Sequence, residues 1–437
     1  MMNDLLSEDT KAVLLLCAPL GQGQHERPLT ITEYTSLVHW LIKEGMRPGD
    51  LLCKANLGKV ATESSLDSGR LESLLSRGVK LGFAVEEWQR NGIWIISRSD
   101  VDYPIRYKRH LKDKAPPLLF GVGNRALLRG GGLGVVGSRN VDEEGAAFTR
   151  HVAATCANQE IPVVSGGARG VDQISMQTAL EAGGTTIGIL AEDLLKRSVE
   201  RYARHAIATG RFLLISPYHP SAHFSVATAM SRNKLIYAMA DYSLVVSAEY
   251  RKGGTWSGAV EELRREHPTP VFVRTGAQVP QGNNQLLNLG ATPWPESIGC
   301  NSLKQQLSEI ISEKITKVTV ASMELRRLEG QRASSCESHQ NQEQIDRHVN
   351  LAKPKGEWGR STADIDDPIY NYVLFNHILP ELDSPHNSKY LAENLKVTKA
   401  QMDEWLKKGI EEGYIEKITR PIRYKRKKAK AESYSLL

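Results

Sequence analysis

Six short, apolar, β-branched runs recur through the middle of the chain: LGVVGS (133–138), IPVVSGG (161–167), TTIGIL (185–190), RFLLISPY (211–218), YSLVVSAE (242–249) and PVFVR (270–274). Helix-like segments over 142–159, 172–182 and 255–266 lie between them. A strand that is apolar at nearly every position has both faces covered, and strands separated by helices run parallel. This alternation leaves little besides a parallel sheet packed between helices. In such sheets ligands bind beyond the carboxyl ends of the strands. The residues just after each run are therefore the first place to look for function.

After the first run come Gly137, Ser138, Arg139 and Asn140. The second runs into VVSGGARGVDQ, which holds Ser165, Gly166, Gly167, Arg169 and Gly170. A glycine loop between strand and helix lets a ligand approach the backbone, and its free N–H groups favour an anion. Arg169 adds a fork of donors suited to phosphate; the plainer reading is a tight turn with Arg169 in solvent. Past the fourth run a helical stretch carries Arg232, Asn233 and Lys234. The fifth is followed by Arg251, Lys252, Gly253, Gly254 and Thr255. Four cation-bearing segments at one sheet edge predict a basic groove spaced for a polyanion. Asp172 is expected to cap the following helix, and Trp256 either packs beside its glycine turn or stacks on a base.

The flanks read differently. Residues 1–95 look like a helical module, as in ITEYTSLVHWLIKEG, and the sheet domain is expected over 96–312. A helix and flexible linker are expected over 313–365, because 331–363 is polar and patternless. Over 366–430, three helical patterns precede two short strands around Pro421, the order of a winged helix, and 431–437 is a tail. The hairpin would carry Arg423, Lys425, Arg426, Lys427 and Lys428 beside Tyr424. The third helix holds Asp403, Glu404, Glu411 and Glu412, which oppose entry into a major groove. Duplex contact through the wing and protein contact through the acidic helix both stay open.

With 437 residues and 41% apolar content, the chain can build several cores, and its net charge of +6 permits a nucleic-acid partner. Five scattered cysteines with no CxxC pair argue against a disulfide framework or a zinc site. The longest early apolar run, AVLLLCAPL, is too short to span a bilayer, so a cytoplasmic protein without membrane contact is expected. GxxxxGK[ST], HExxH and GxSxG are missing, and the first loop, VVGSRN, lacks the GxGxxG of a dinucleotide site, which leaves no basis for a catalytic residue, metal or cofactor.

The ordered series VVGSRN, VVSGGARGVDQ, FSVATAMSRNKLIYAMADYSLVVSAEYRKGGTWSGA and GNNQLLNLGATP resembles the DNA-processing protein A (DprA, or Smf) family. SDVDYPIRYKRHLKDKAPPLLFGVGN resembles that family's lead-in to its Rossmann-like domain. The resemblance implies a Rossmann-like α/β fold that binds single-stranded DNA in a basic pocket without catalysis, in natural transformation and recombination. It implies RecA as a partner and a homodimer. Similar chains also occur in phage defence, including as an antitoxin beside a phosphoribosyltransferase-like toxin. The family's motifs fall on Gly137–Arg139, Ser165–Asp172 and Arg232–Lys234. The chain departs from the pattern at Ser175 and Met176, at Pro217, and in GGTWSGA. A rival resemblance is to nucleoside-monophosphate phosphoribohydrolases, whose glycine motif is echoed in KGGTWSGAVEEL, with Glu261 or Glu262 as the acid.

Overall fold

A computed structural model describes residues 6–20, 26–53, 55–56, 60, 66–296, 302–316 and, with short interruptions, 378–426. The chain divides into two compact units, Met1–Glu296 with Ile369–Leu437, and Ser297–Pro368. Of the second unit only a helix over 303–316 is described. The stretch 331–363, Pro421 and the tail 431–437 lie outside the described residues, as does the first helix expected in 366–430 apart from Ile378. Among the described residues no helix is long and apolar enough to cross a membrane.

All six apolar runs form strands: β3 (Leu133–Val136), β4 (Val163–Ser165), β5 (Thr186–Ile189), β6 (Phe212–Ser216), β7 (Tyr242–Val245) and β8 (Val271–Val273). Three further strands join them: β1 (Trp94–Ser97), β2 (Leu118–Gly123) and β9 (Thr292–Pro293). The sheet runs β1-β2-β6-β5-β4-β3-β7-β8-β9. From β6 to β9 every neighbour is parallel. β2 lies antiparallel to both β1 and β6, so the sheet is mixed at one edge rather than wholly parallel.

The described residues of Met1–Glu296 include the helices α1 (Glu8–Cys17), α2 (Ile31–Lys43), α3 (Ser68–Leu75), α4 (Gly78–Arg90), α5 (Ile105–Leu111), α6 (Glu143–Asn158), α7 (Val171–Glu181), α8 (Leu194–Ser198), α9 (Arg201–Ala208), α10 (Val226–Met239), α11 (Gly253–Leu263) and α12 (Gln281–Asn288). Local chemistry fixes their starts. Thr30 and Glu33 form a capping box on α2. The Asp142 carboxylate accepts from Gly145 N–H at 2.6 Å to open α6, and Ser225 accepts from Thr228 N–H at 3.0 Å to open α10.

Strand residues alternate between two cores, as the period of two requires. Phe120, Phe212 and Leu214 join Leu14, Tyr34, Leu37 and Trp88 of α1, α2 and α4 in one cluster. Leu119, Leu213 and Ile215 join Leu235, Ile236 and Tyr237 of α10 in the other. The N-terminal helices therefore share a core with the sheet, and Trp88 meets Phe120 edge-to-face at 5.0 Å. In the C-terminal part, helices Ser388–Asn394 and Lys399–Glu411 precede an antiparallel hairpin, β10 (Ile415–Thr419) and β11 (Ile422–Arg426). Leu391, Met402, Leu406 and Ile415 form its small core.

Candidate nucleic-acid interface

From β3 the chain steps outward through β4, β5 and β6, then returns to place β7 on the other side of β3. The loops after β3 and β7 diverge at this switch point and open a crevice. Two bonds fix its walls. Thr255 Oγ1 donates to the Gly137 carbonyl at 3.0 Å, and Ser138 N–H donates to Ser247 Oγ at 3.1 Å. In the loop after β4, Gly167 (φ +67°) and Gly170 (φ +86°) take left-handed conformations that favour glycine. A side chain on Gly170 would also strike the Ser138 carbonyl. Arg169 is carried outward, and its Nη2 donates to Asn140 Oδ1 at 2.6 Å.

Beyond β3, β4 and β5 lies a cavity of about 650 Å3 lined by Arg139, Arg169, Arg197, Arg232 and Phe224. Glu192 is the one carboxylate among its described lining residues. A second cavity of about 390 Å3 shares Arg139 and Arg232 and reaches Asn233 and the Lys252–Thr255 turn at the start of α11. Arg139 stacks 5.0 Å from the Phe224 ring.

Arg232 is the centre of this arrangement. It is only 5% exposed, and among the described residues neither its Nε nor its Nη1 has a hydrogen-bond partner. Its guanidinium lies against Gly166, where any Cβ would overlap it, which explains a glycine at the end of β4. Asp172 stands 4.0 Å from Nη1, too far for a hydrogen bond. Burial lowers the Arg232 pKa, and Asp172 opposes that. Burial pushes the Asp172 carboxyl up to about 6, against Arg232 and the backbone N–H groups of Ala168, Gly166 and Gly137, which hold it down. Asp172 is not the helix cap expected from sequence. Gly170 holds that position, and Asp172 sits inside α7 facing Arg232.

Three expected site residues are placed elsewhere. Ser165 is fully buried and its hydroxyl donates to the Val135 carbonyl at 2.6 Å, so it ties β4 to β3. Lys234 lines neither cavity; burial lowers its pKa, and the Glu261 charge opposes that. Tyr424 is buried in the hairpin core, leaving Arg423 and Lys425 exposed on the other strand face. The Arg426 side chain, Lys427 and Lys428 lie outside the described residues. Trp256 packs on the core and meets Tyr250 edge-to-face at 5.1 Å. Arg197 and Phe224 were not anticipated.

The family described as DNA recombination-mediator protein A matches residues 94–306. DNA processing protein DprA of Streptococcus pneumoniae is 30% identical over 181 residues, 40% of this chain and 63% of that one. Its Bacillus subtilis counterpart is 27% identical over 197 residues, 44% and 65% of the two chains. Over residues 94–306 the chain is similar to the DprA/Smf family. The X-ray structure of S. pneumoniae DprA has a TM-score of 0.52 at 22% identity, covering 66% of this chain and 95% of that one, and shows the shared fold. The matched part thus spans under two thirds of these curated relatives. The departures from the DprA/Smf pattern at Ser175 and Met176 are buried: the Ser175 hydroxyl donates to the Asp172 carbonyl at 2.9 Å, and Met176 packs into the core.

Proposed function

We propose that this chain binds the phosphate backbone of single-stranded DNA at the carboxyl edge of its sheet, without catalysing a reaction, and acts in DNA processing or recombination. The observation that carries the reading is Arg232, a buried cation that lines a cavity with three more arginines and leaves two of its nitrogens unpartnered. Leaving such donors unmet is costly, and a phosphate oxygen would satisfy them. Arg139, Arg169 and Arg197 supply the field that gathers a polyanion, and the exposed Phe224 ring offers a base a stacking face. The names of the relatives, DNA processing protein and recombination mediator, support the same direction. Against the phosphoribohydrolase reading, buried Glu262 is engaged by His110 at 3.0 Å and Arg265 at 2.9 Å, and Glu261 pairs with Arg265 at 3.1 Å.

Titration of a fluorescent oligothymidylate across a salt series tests the proposal. Affinity should fall steeply with salt, because each phosphate contact releases a counterion. Arg232→Ala should weaken binding while the melting transition stays cooperative. Salt-independent binding, or wild-type affinity in that variant, would remove the reading. On the hairpin, Arg423 and Lys425 are proposed to touch duplex phosphates. Replacing both with glutamine should then shallow the duplex salt slope by roughly 0.9 per lost contact.

A further inference from the structure

A concave surface away from Arg232 has two unlike walls. It lies where α2 meets the segment from β1 to α5 and encloses about 540 Å3. One wall is apolar: Val38, Ile42 and Met46. Val38 and Ile42 are four residues apart and so share a helix face. Toward its start that face belongs to the core, with Tyr34 buried and Val38 half-buried against the cluster that holds Leu37 and Leu41. Ile42 is 69% exposed, an apolar side chain with no core to join.

The facing wall is cationic: Arg98, Lys108 and Lys112. Arg98 Nη1 donates to Thr35 Oγ1 at 3.1 Å, and its guanidinium lies 5.9 Å from the Tyr34 ring centroid. Lys108 Nζ rests 5.6 Å from the Tyr103 ring centroid. Among the described residues neither Arg98 nor Lys108 makes an ion pair. Lys112 has a loose partner, exposed Glu266 at 3.8 Å. The acids at the rim are engaged elsewhere. Asp9 accepts from Arg47 Nε at 2.9 Å and from Gly49 N–H at 2.8 Å, and Asp113 meets His39 at 3.2 Å. Burial, and then the Arg98 charge, holds the Lys108 pKa below its ordinary value, and Asp100 opposes that.

We propose that this cavity docks a short acidic segment of a partner protein, its carboxylates meeting Arg98, Lys108 and Lys112 and an adjoining aliphatic or aromatic side chain covering Val38 and Ile42. The two walls together choose the occupant. A nucleic-acid strand would use the cations and leave Ile42 bare. An acidic segment with an apolar residue uses both walls, with charge setting orientation and the apolar contact adding affinity.

The test uses the full chain and a labelled peptide of alternating aspartate and leucine, read by fluorescence polarisation. Two control peptides replace every aspartate with asparagine or every leucine with glycine, and each should bind about tenfold more weakly. Lys108→Glu and Ile42→Ser should each weaken the parent peptide by about fivefold or more, while oligothymidylate affinity stays unchanged. Both positions are exposed, and a melting curve on each variant checks the fold. No binding of the parent peptide above the controls would overturn the proposal. So would indifference to Lys108→Glu. Displacement of the peptide by oligothymidylate, with lost oligothymidylate affinity in Lys108→Glu, would make the cavity a nucleic-acid contact instead.

Discussion

Gly166→Ala adds one methyl group where the Arg232 guanidinium already lies. Gly166 directly follows β4, and the atoms its methyl would meet are the far end of a flexible side chain, so the guanidinium is what moves. It is the end of a long side chain, and the cavity beside it holds about 650 Å3 of open space. The fold should therefore lose only about 1 kcal/mol, the low end of what overpacking costs. Binding should suffer more. Displaced from Gly166 and Asp172, the guanidinium no longer holds its donors at a fixed place. Loss of one charge-assisted hydrogen bond is worth about 1.5–3 kcal/mol, or about a ten- to hundredfold loss in affinity. Oligothymidylate titration and thermal melts measure the two effects on one sample. A double-mutant cycle with Arg232→Ala sharpens the test, because removing the guanidinium removes the clash. The two substitutions should be strongly non-additive in both assays. Additive losses, or wild-type affinity in Gly166→Ala, would refute the argument that glycine is there to seat Arg232.

Arg139→Ala and Arg169→Ala should each weaken oligothymidylate binding by less than Arg232→Ala, since both are exposed and already hydrated; equal losses in all three would contradict that ranking. Asp172 has a folded pKa raised to about 6, so its protonated form stabilises the fold at low pH and that contribution is lost as pH rises through 6. Melting curves from pH 4 to 7 should show wild type losing stability relative to Asp172→Asn over this window. Phosphate beside Arg232 should also favour proton uptake by Asp172, so oligothymidylate affinity should rise as pH falls through about 6, and less so in Asp172→Asn. Tyr424→Ala should remove a core ring rather than a DNA contact; hydrogen exchange over 388–426 should quicken by an amount equivalent to about 3 kcal/mol.

Six of the parallel strands were legible because each falls in a largely apolar run, the pattern of a strand buried on both faces; β9, two residues long, carries no such run. β1 and β2 were not, since an antiparallel pair at a sheet edge is defined by its partner strand and GIWIIS and PLLFGVG carry no marker of that partner. The site was legible where glycine and arginine stand together, as at 137–139 and 166–170. Arg197 was missed because the segment after β5 begins with two acids, Glu192 and Asp193, and has no glycine. Its position after a strand carboxyl end was nonetheless the available signal. Phe224 offered only an aromatic just ahead of a capping Ser225. Ser165 and Lys234 were over-read from motif adjacency. Ser165 is the last residue of β4, with its side chain between strands. Lys234 is two positions from Arg232 on α10, and residues two apart on a helix do not share a face. The buried Asp172–Arg232 pairing could not be read from either residue alone, since sixty positions separate them.

In the proposed function, Arg232 waits for a phosphate. A crystal structure of the full chain with oligothymidylate tests it most directly. A backbone phosphate oxygen is expected about 3 Å from the Arg232 guanidinium, within hydrogen-bond reach, with Arg139 and Arg169 on neighbouring phosphates. A strand bound on another surface, with no phosphate at Arg232, would contradict it.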